Sequence, residues 1–268
     1  RQPVCLLLTA SAVFVMGLAA MKMFQFGEDG KITRDGCLAV HFVFGMLIGA
    51  YGACTTLSAE MRNGTALVVL SKPVSRDLFF LAKFAGLAFL IAIFSACAIA
   101  ATLLGEMASP KLYLGNTPLL LFLFLAGPAA MVCAWFVNYR FGRPFTSAAL
   151  WLLLVFLAAG VALAAALHDP ASGNRYLQGR YLGQVSCGMQ WRLIPAGLLI
   201  TAALLALSAL ALALAARIGT IPVLVLCSLA LFGGLLSDYF FGAAADAGSF
   251  PAAVCHAVVP NWQGFWMA

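Results

Sequence analysis

Charged residues are scarce in this chain of 268 residues: Asp, Glu, Lys and Arg together make up 9%, whereas 64% of the residues are hydrophobic. An ordinary soluble domain has about 25% charged and about 45–50% apolar residues. Charges at this frequency leave too little polar surface to face water. The composition therefore excludes an ordinary secreted or cytosolic protein and indicates a polytopic membrane protein.

The motifs of several chemistries are missing as well. The phosphate-binding pattern G-x-x-x-x-G-K-[ST] does not occur, since Gly30-Lys31 is followed by Ile32, so the chain cannot hydrolyse ATP by that route. No H-E-x-x-H zinc motif occurs, and the three histidines are far apart in sequence. The basic residues form no run with interleaved aromatics, which argues against nucleic acid. We therefore predict no catalytic residues, no metal ligands and no nucleic-acid partner.

The eight cysteines occur singly, with no C-x-x-C pair. Cysteine inside an apolar run behaves as a small apolar residue, and we interpret Cys54, Cys97, Cys133 and Cys227 in this way. Three others, Cys37, Cys187 and Cys255, fall in or beside loops that we place on one side of the membrane. A disulfide among these three and unpaired thiols both stay open.

Seven stretches contain no charged residue and are long enough to cross a bilayer, which takes about 20 apolar residues in a helix. They are Val4–Met21, Cys37–Ala59, Phe84–Gly105, Leu119–Asn138, Phe145–His168, Leu193–Ala216 and Ile218–Ser237. No period-2 alternation occurs in them, which favours helices over a barrel. The predicted fold is all-α, with about seven transmembrane helices in a single domain spanning 1–268. Because the chain starts with Arg1 and stops at Ala268 without a polar tail, we expect a fragment with one more span beyond its C-terminal end.

The loops between these spans alternate between two sets. One set holds 8 basic and 2 acidic residues, and the other holds 7 of each. Lys and Arg in short loops favour the cytoplasmic side, so we place the first set, with the N-terminus, in the cytoplasm. On the other side we expect a compact polar turn at Gly27–Gly36. Glu106 and Asp238, near the same face, are expected to be solvated or structural, or to pair with Lys111 or bind substrate.

Two positions inside the second span have alternative interpretations. Gly45 and Gly49 form a G-x-x-x-G motif, which lets helix backbones approach closely, either within one subunit or between two. His41 lies about one turn into the span. We interpret it as a packed or interfacial histidine rather than a ligand.

The segment Ser58–Asp77 differs from the other loops. Gly64 permits a bend, Thr65–Leu70 is apolar but too short to cross, and the Lys72-Pro73 pair disfavours helix at Lys72. Ser75 suits the N-cap of the third span, and Asp77 in the first turn suits the helix dipole. The pattern predicts a short amphipathic helix on the cytoplasmic face. Either it receives a push from a soluble partner or it is an ordinary connecting helix.

The same segment resembles the loop between spans two and three of type-2 ATP-binding-cassette (ABC) permeases, in the branch related to permeases of nitrous-oxide-reductase maturation. The matching pattern is E-x-x-x-G-T, then L-S-K-P-V-S-R, then K-F-x-G, from Glu60 to Gly86. In that family the loop is a coupling helix that docks on the ATPase. The resemblance implies an ATPase-coupling role for Glu60, Arg62, Gly64, Thr65, Ser71, Lys72, Pro73, Ser75 and Arg76.

The resemblance further implies a permease of an ATP-driven transporter, with export as the direction, in a bacterial inner membrane. Its partners would be a separate ABC ATPase that binds ATP and Mg²⁺, a second permease subunit and the lipid bilayer. A secondary transporter without an ATPase is the alternative, although such a protein usually carries ionisable residues deep in its spans. Neither interpretation identifies the substrate.

Overall fold

A computed structural model of the chain describes residues 3–21, 29–62, 76–109, 117–167, 190–215, 217–218 and 220–237. The side chains of 29, 57–62, 76–77, 117, 167, 220, 231 and 234–237 lie outside the described part. Seven helices occur in these ranges: α1 Pro3–Ala20, α2 Asp29–Arg62, α3 Arg76–Ala108, α4 Thr117–Phe141, α5 Phe145–Leu167, α6 Leu193–Ala215 and α7 Thr220–Ser237. No strand occurs within them, which confirms the predicted all-α polytopic fold.

Six of the helices in the described ranges are long and apolar enough to cross a membrane, and α7 contributes a shorter apolar stretch, Ile221–Ala230. The bounds of α1, α4, α5, α6 and α7 fall close to the predicted spans. The helices α2 and α3, however, are much longer than predicted, with 34 and 33 residues. The prediction ended each span where charged residues begin, whereas the backbone continues as helix through those residues.

The predicted compact turn at Gly27–Gly36 is wrong for the described residues, since α2 begins at Asp29 and Gly30–Gly36 form its first two turns. Two interactions explain why this polar stretch is helical. Thr33 shares a hydrogen bond with Ser109, and Arg34 forms an ion pair with Glu106. Both partners are at the end of α3, so the polar side chains have partners on the neighbouring helix instead of requiring a solvated turn.

The chain divides into two compact units. Unit 1 comprises Arg1–Gly45 and Leu90–Thr201. In it α4 packs along α5, and α1 packs against both. Gly160 of α5 permits this close approach, because a Cβ there would lie 2.9 Å from Cζ of Phe122 and closer still to its Cε1. The largest fully buried side chains of this unit are Met16, Ile91, Phe94, Leu104, Leu123, Leu153 and Leu157.

Unit 2 comprises Met46–Phe89 and Ala202–Ala268. Here Gly52 of α2 lies against Leu87 of α3, whose Cδ1 would be 2.8 Å from a Cβ at the glycine. Ile48, Leu204 and Val223 are among its fully buried side chains. Gly49 in this unit and Gly45, which belongs to unit 1, are each buried, which favours packing inside one subunit over a dimer face for the G-x-x-x-G motif.

Candidate functional site

The predicted coupling segment falls at the connection between α2 and α3. The last described residue of α2 is Arg62 and the first of α3 is Arg76, directly after the predicted N-cap position. Residues 63–75 lie outside the described residues, and so do the side chains of 57–62 and 76–77. The coupling roles of Glu60, Arg62, Gly64, Thr65, Ser71, Lys72, Pro73, Ser75 and Arg76 therefore stay predictions. So does the short helix expected there.

Both helices that lead to this segment exceed the thickness of a bilayer. At 1.5 Å per residue, α2 is about 51 Å long and α3 about 50 Å, against a hydrocarbon core of about 30 Å. The apolar part of α2 is Gly30–Thr56, and that of α3 is Leu78–Ala108. The helical backbone of α2 thus runs on past its apolar part into the polar residues of the predicted coupling segment.

At the other end of these helices, within unit 1, polar side chains of α2 meet polar side chains of α3 in a row that we call the polar seam. Its pairs run in opposite directions along the two helices, so the helices are antiparallel. The seam consists of Thr33, Arg34 and His41 on α2, of Ser95 and Glu106 on α3, and of Ser109 directly after the end of α3.

The charged part of the seam is the pair Arg34–Glu106. Nη2 of Arg34 donates to Oε1 of Glu106 at 3.2 Å. The Glu106 side chain is 4% exposed and that of Arg34 is 34% exposed. The expected solvated position for Glu106 is therefore wrong, because the first turns of α2 cover it, whereas a structural role agrees with this geometry. Lys111 and Asp238, the other residues considered with Glu106, lie outside the described residues.

Next to this pair, Thr33 and Ser109 share a hydrogen bond of 3.1 Å between their hydroxyl oxygens. The Thr33 hydroxyl also donates to the backbone carbonyl of Ala19 at 3.4 Å. Cys37, one turn further along α2, donates its thiol to the carbonyl of Met16 at 3.8 Å. The seam region is thereby tied to α1 as well as α3. Cys37 is buried inside a helix rather than beside a loop, and Cys187 and Cys255 lie outside the described residues.

His41 forms the inner end of the seam. It is fully buried, and its Nε2 lies 3.0 Å from Oγ of Ser95. Its ring also makes an edge-to-face contact with Phe94, with centroids 5.6 Å apart. Nδ1 of His41 has no hydrogen-bond partner among the described residues. These contacts confirm a packed histidine. Across the ranges that the structure describes, no group of three or more His, Cys, Asp or Glu could hold a metal ion.

Sequence reasoning did not single out Thr33, Arg34, Ser95 or Ser109. One signal was present in the spacing. Ser95 and Thr102 of α3 and Ser109 directly after it recur every seven residues, and on α2 Arg34 and His41 have the same spacing. Residues seven apart share one face of a helix. Polar residues at the same seven-residue spacing in two consecutive spans indicate that the spans face each other through them.

One comparison with known proteins identifies a family. Residues 8–172 match the family model described as ABC-2 family transporter protein, which is more than half of the 268 residues. No curated protein and no solved structure matches the chain. The matched range contains the polar seam and the whole predicted coupling segment.

Proposed function

The chain belongs to the ABC-2 transporter family, and from that premise we propose that its α2–α3 hairpin transmits the motion of an ABC ATPase to the membrane domain. Members of the family are integral membrane permease components of ABC transporters, not catalytic subunits, and associate with an ABC ATPase. The observation that carries the proposal is the length of the two helices adjoining the predicted coupling segment, about 50 Å each.

A continuous helix transmits displacement along its axis because every turn is held by backbone hydrogen bonds. Closure of the ATPase on ATP would move the segment Ser58–Asp77 together with the ends of α2 and α3. Arg34 is 28 residues from Arg62 along α2, or about 42 Å of helix. The polar seam would then hold the far end of the hairpin. Interhelical hydrogen bonds in membranes contribute roughly 0.6 kcal/mol on average and up to about 1.7, so they can exchange partners during a cycle.

The remaining parts of the proposal concern the assembly. We place ATP and Mg²⁺ in the separate ATPase, and we pair this chain with a second permease subunit. The branch related to nitrous-oxide-reductase maturation permeases, export as the direction, and a bacterial inner membrane all rest on the sequence pattern from Glu60 to Gly86. The family membership supports a permease of an ABC transporter over the alternative of a secondary transporter. The substrate stays open.

The docking role is tested by reversing one charge in the coupling segment. Arg76→Glu should weaken co-purification with the partner ABC ATPase by at least about tenfold, because a like charge across a docked interface costs several kcal/mol. Arg76→Lys should retain most of the complex. Arg217→Glu, at an exposed arginine in another loop, is the matched control and should have no effect. If Arg76→Glu retains the complex and its ATP turnover, the docking role is wrong.

The predicted orientation is tested separately with single cysteines at Gly30 and Arg62, in a background where the native cysteines are replaced. These two positions are at opposite ends of α2, so a membrane-impermeant thiol reagent should reach them from opposite sides. The residue at position 62 should react only from the cytoplasmic side. Reaction of both from one side would contradict the topology, and reaction of position 30 from the cytoplasm would reverse it.

A further inference from the structure

The link between α4 and α5 forms a tight tip in unit 1. α4 ends at Phe141 and α5 begins at Phe145. Gly142 has φ = 63° and donates its N–H to the carbonyl of Asn138 at 3.0 Å, which is the left-handed glycine that ends many helices. Nδ2 of Asn138 donates to the carbonyl of Arg143 at 2.5 Å. These two hydrogen bonds hold the backbone of the link at Gly142 and at Arg143.

The aromatic side chains around this link point away from the protein. Tyr139 is 81% exposed, Phe141 68%, Trp135 64% and Phe136 58%. Trp135 and Tyr139 stack with their centroids 6.4 Å apart. Trp and Tyr are enriched where a membrane protein passes from the hydrocarbon into the headgroup region. The exposed rings thus place the tip at the level of the lipid headgroups.

Two arginines occupy the same tip. Arg140 and Arg143 are both exposed, and the guanidinium of Arg140 lies 5.7 Å from the centre of the Phe141 ring. The sequence contains no Asp or Glu between Glu106 and Asp169, so neither α4 nor α5 carries a carboxylate that could neutralise them. A guanidinium presents a planar fork of donors that matches a phosphate group.

We propose that this tip, comprising Trp135, Phe136 and Tyr139–Phe145, binds the phosphate of an anionic phospholipid headgroup. The two guanidinium groups contact the phosphate, while the aromatic rings lie among the glycerol and upper acyl region of the same lipid. Zwitterionic lipids carry a phosphate too, but their attached cation repels the arginines, so the site selects lipids with a net negative charge. The proposal rests on the membrane location of the chain and not on the coupling role.

The size of the preference for anionic lipid follows from the charges of the two arginines. A basic residue near an anionic membrane surface contributes about 1 kcal/mol, or about fivefold in affinity. Two arginines therefore give a preference of roughly 20- to 30-fold for phosphatidylglycerol over phosphatidylcholine at the tip. High salt should reduce this preference because the tip is exposed.

The test uses the full chain in nanodiscs of phosphatidylcholine, with brominated phosphatidylglycerol or brominated phosphatidylcholine as the quencher. The other four tryptophans are changed to Phe, so that the fluorescence of Trp135 reports lipid at the tip alone. The unmodified tip should be quenched at much lower fractions of phosphatidylglycerol than of phosphatidylcholine. Arg140→Gln with Arg143→Gln should bring the two quenching curves together, and Arg140→Lys with Arg143→Lys should retain part of the difference.

Arg217→Gln is the matched control and should leave the preference unchanged, since this exposed arginine lies in another loop. Melting curves should be the same for all these variants, because the arginines are exposed. A double Gln variant that keeps the preference of the unmodified tip for phosphatidylglycerol would overturn the proposal. So would displacement of the quencher lipid by inorganic phosphate at an unchanged ionic strength, or a double Gln variant that keeps its lipid preference but loses the ATPase.

Discussion

We expect Arg34→Ala to lower the stability of the membrane domain by about 1.5–2 kcal/mol. A hydrogen bond to a charged group contributes roughly 1.5–3 kcal/mol, and the lower part of this range applies because a third of Arg34 is exposed, at 34%. For a chain of this size about 1 kcal/mol shifts the melting temperature by roughly 2–4 °C. The expected loss is therefore about 3–8 °C in a thermal melt of the detergent-purified protein.

A double-mutant cycle separates the pair from the effects of each substitution. Arg34→Ala, Glu106→Ala and the double variant are compared, and we expect a coupling energy of about 1.5–2 kcal/mol. Arg217→Ala serves as the control at an exposed arginine and should stay within about 0.5 kcal/mol of the unchanged protein. A coupling energy below about 0.5 kcal/mol would refute the view that the seam holds α2 to α3.

Two further substitutions test the packing of unit 1. Gly160→Ala should destabilise the protein by about 1–2 kcal/mol, because a Cβ there overlaps the Phe122 ring and overpacking costs about 1–3 kcal/mol, more than the gain of about 0.5–1 kcal/mol in helix propensity. Gly233→Ala is the control and should raise the melting temperature, since nothing lies within 4 Å of its Cβ. Equal shifts in melting temperature for the two variants would contradict this. Ser95→Ala should lower the free energy of unfolding by about 1–3 kcal/mol, because it removes the hydrogen-bond partner of His41 Nε2 in a buried site. If adding His41→Phe to Ser95→Ala restores no stability in the same melts, the lost hydrogen bond is not the cause of the destabilisation.

The helices could be predicted from the sequence because membrane spans follow from apolar length alone. The start of α5 at Phe145 and of α6 at Leu193 coincide with the predicted boundaries. The ends of α2 and α3 could not be predicted in this way. Hydropathy marks where a helix leaves hydrocarbon, but it contains no information on whether Gly30–Gly36 continues as helix. That depends on partners on α3, 72 residues away in the case of Glu106.

The two parts of the candidate site differ in the same way, since one is local in sequence and the other is not. The coupling segment is local in sequence, so its turn signals at Gly64 and Pro73 and its family pattern could be recognised within one stretch of chain. The polar seam is made of pairs that are distant in sequence, such as His41 with Ser95. Each residue alone resembles an isolated polar position in a span. Only the alignment of two helices turns these positions into a hydrogen-bonded row.

The three-residue link between α4 and α5 also has a consequence for biogenesis. Loops this short are closed on the nanosecond scale, and contacts between neighbouring segments form faster than those between distant ones. α4 and α5 pack along each other and carry no acidic residue that would oppose entry into lipid. We therefore expect the two to enter the bilayer as a preformed pair during synthesis, before α6 emerges. α1 would then associate with a surface that is already assembled.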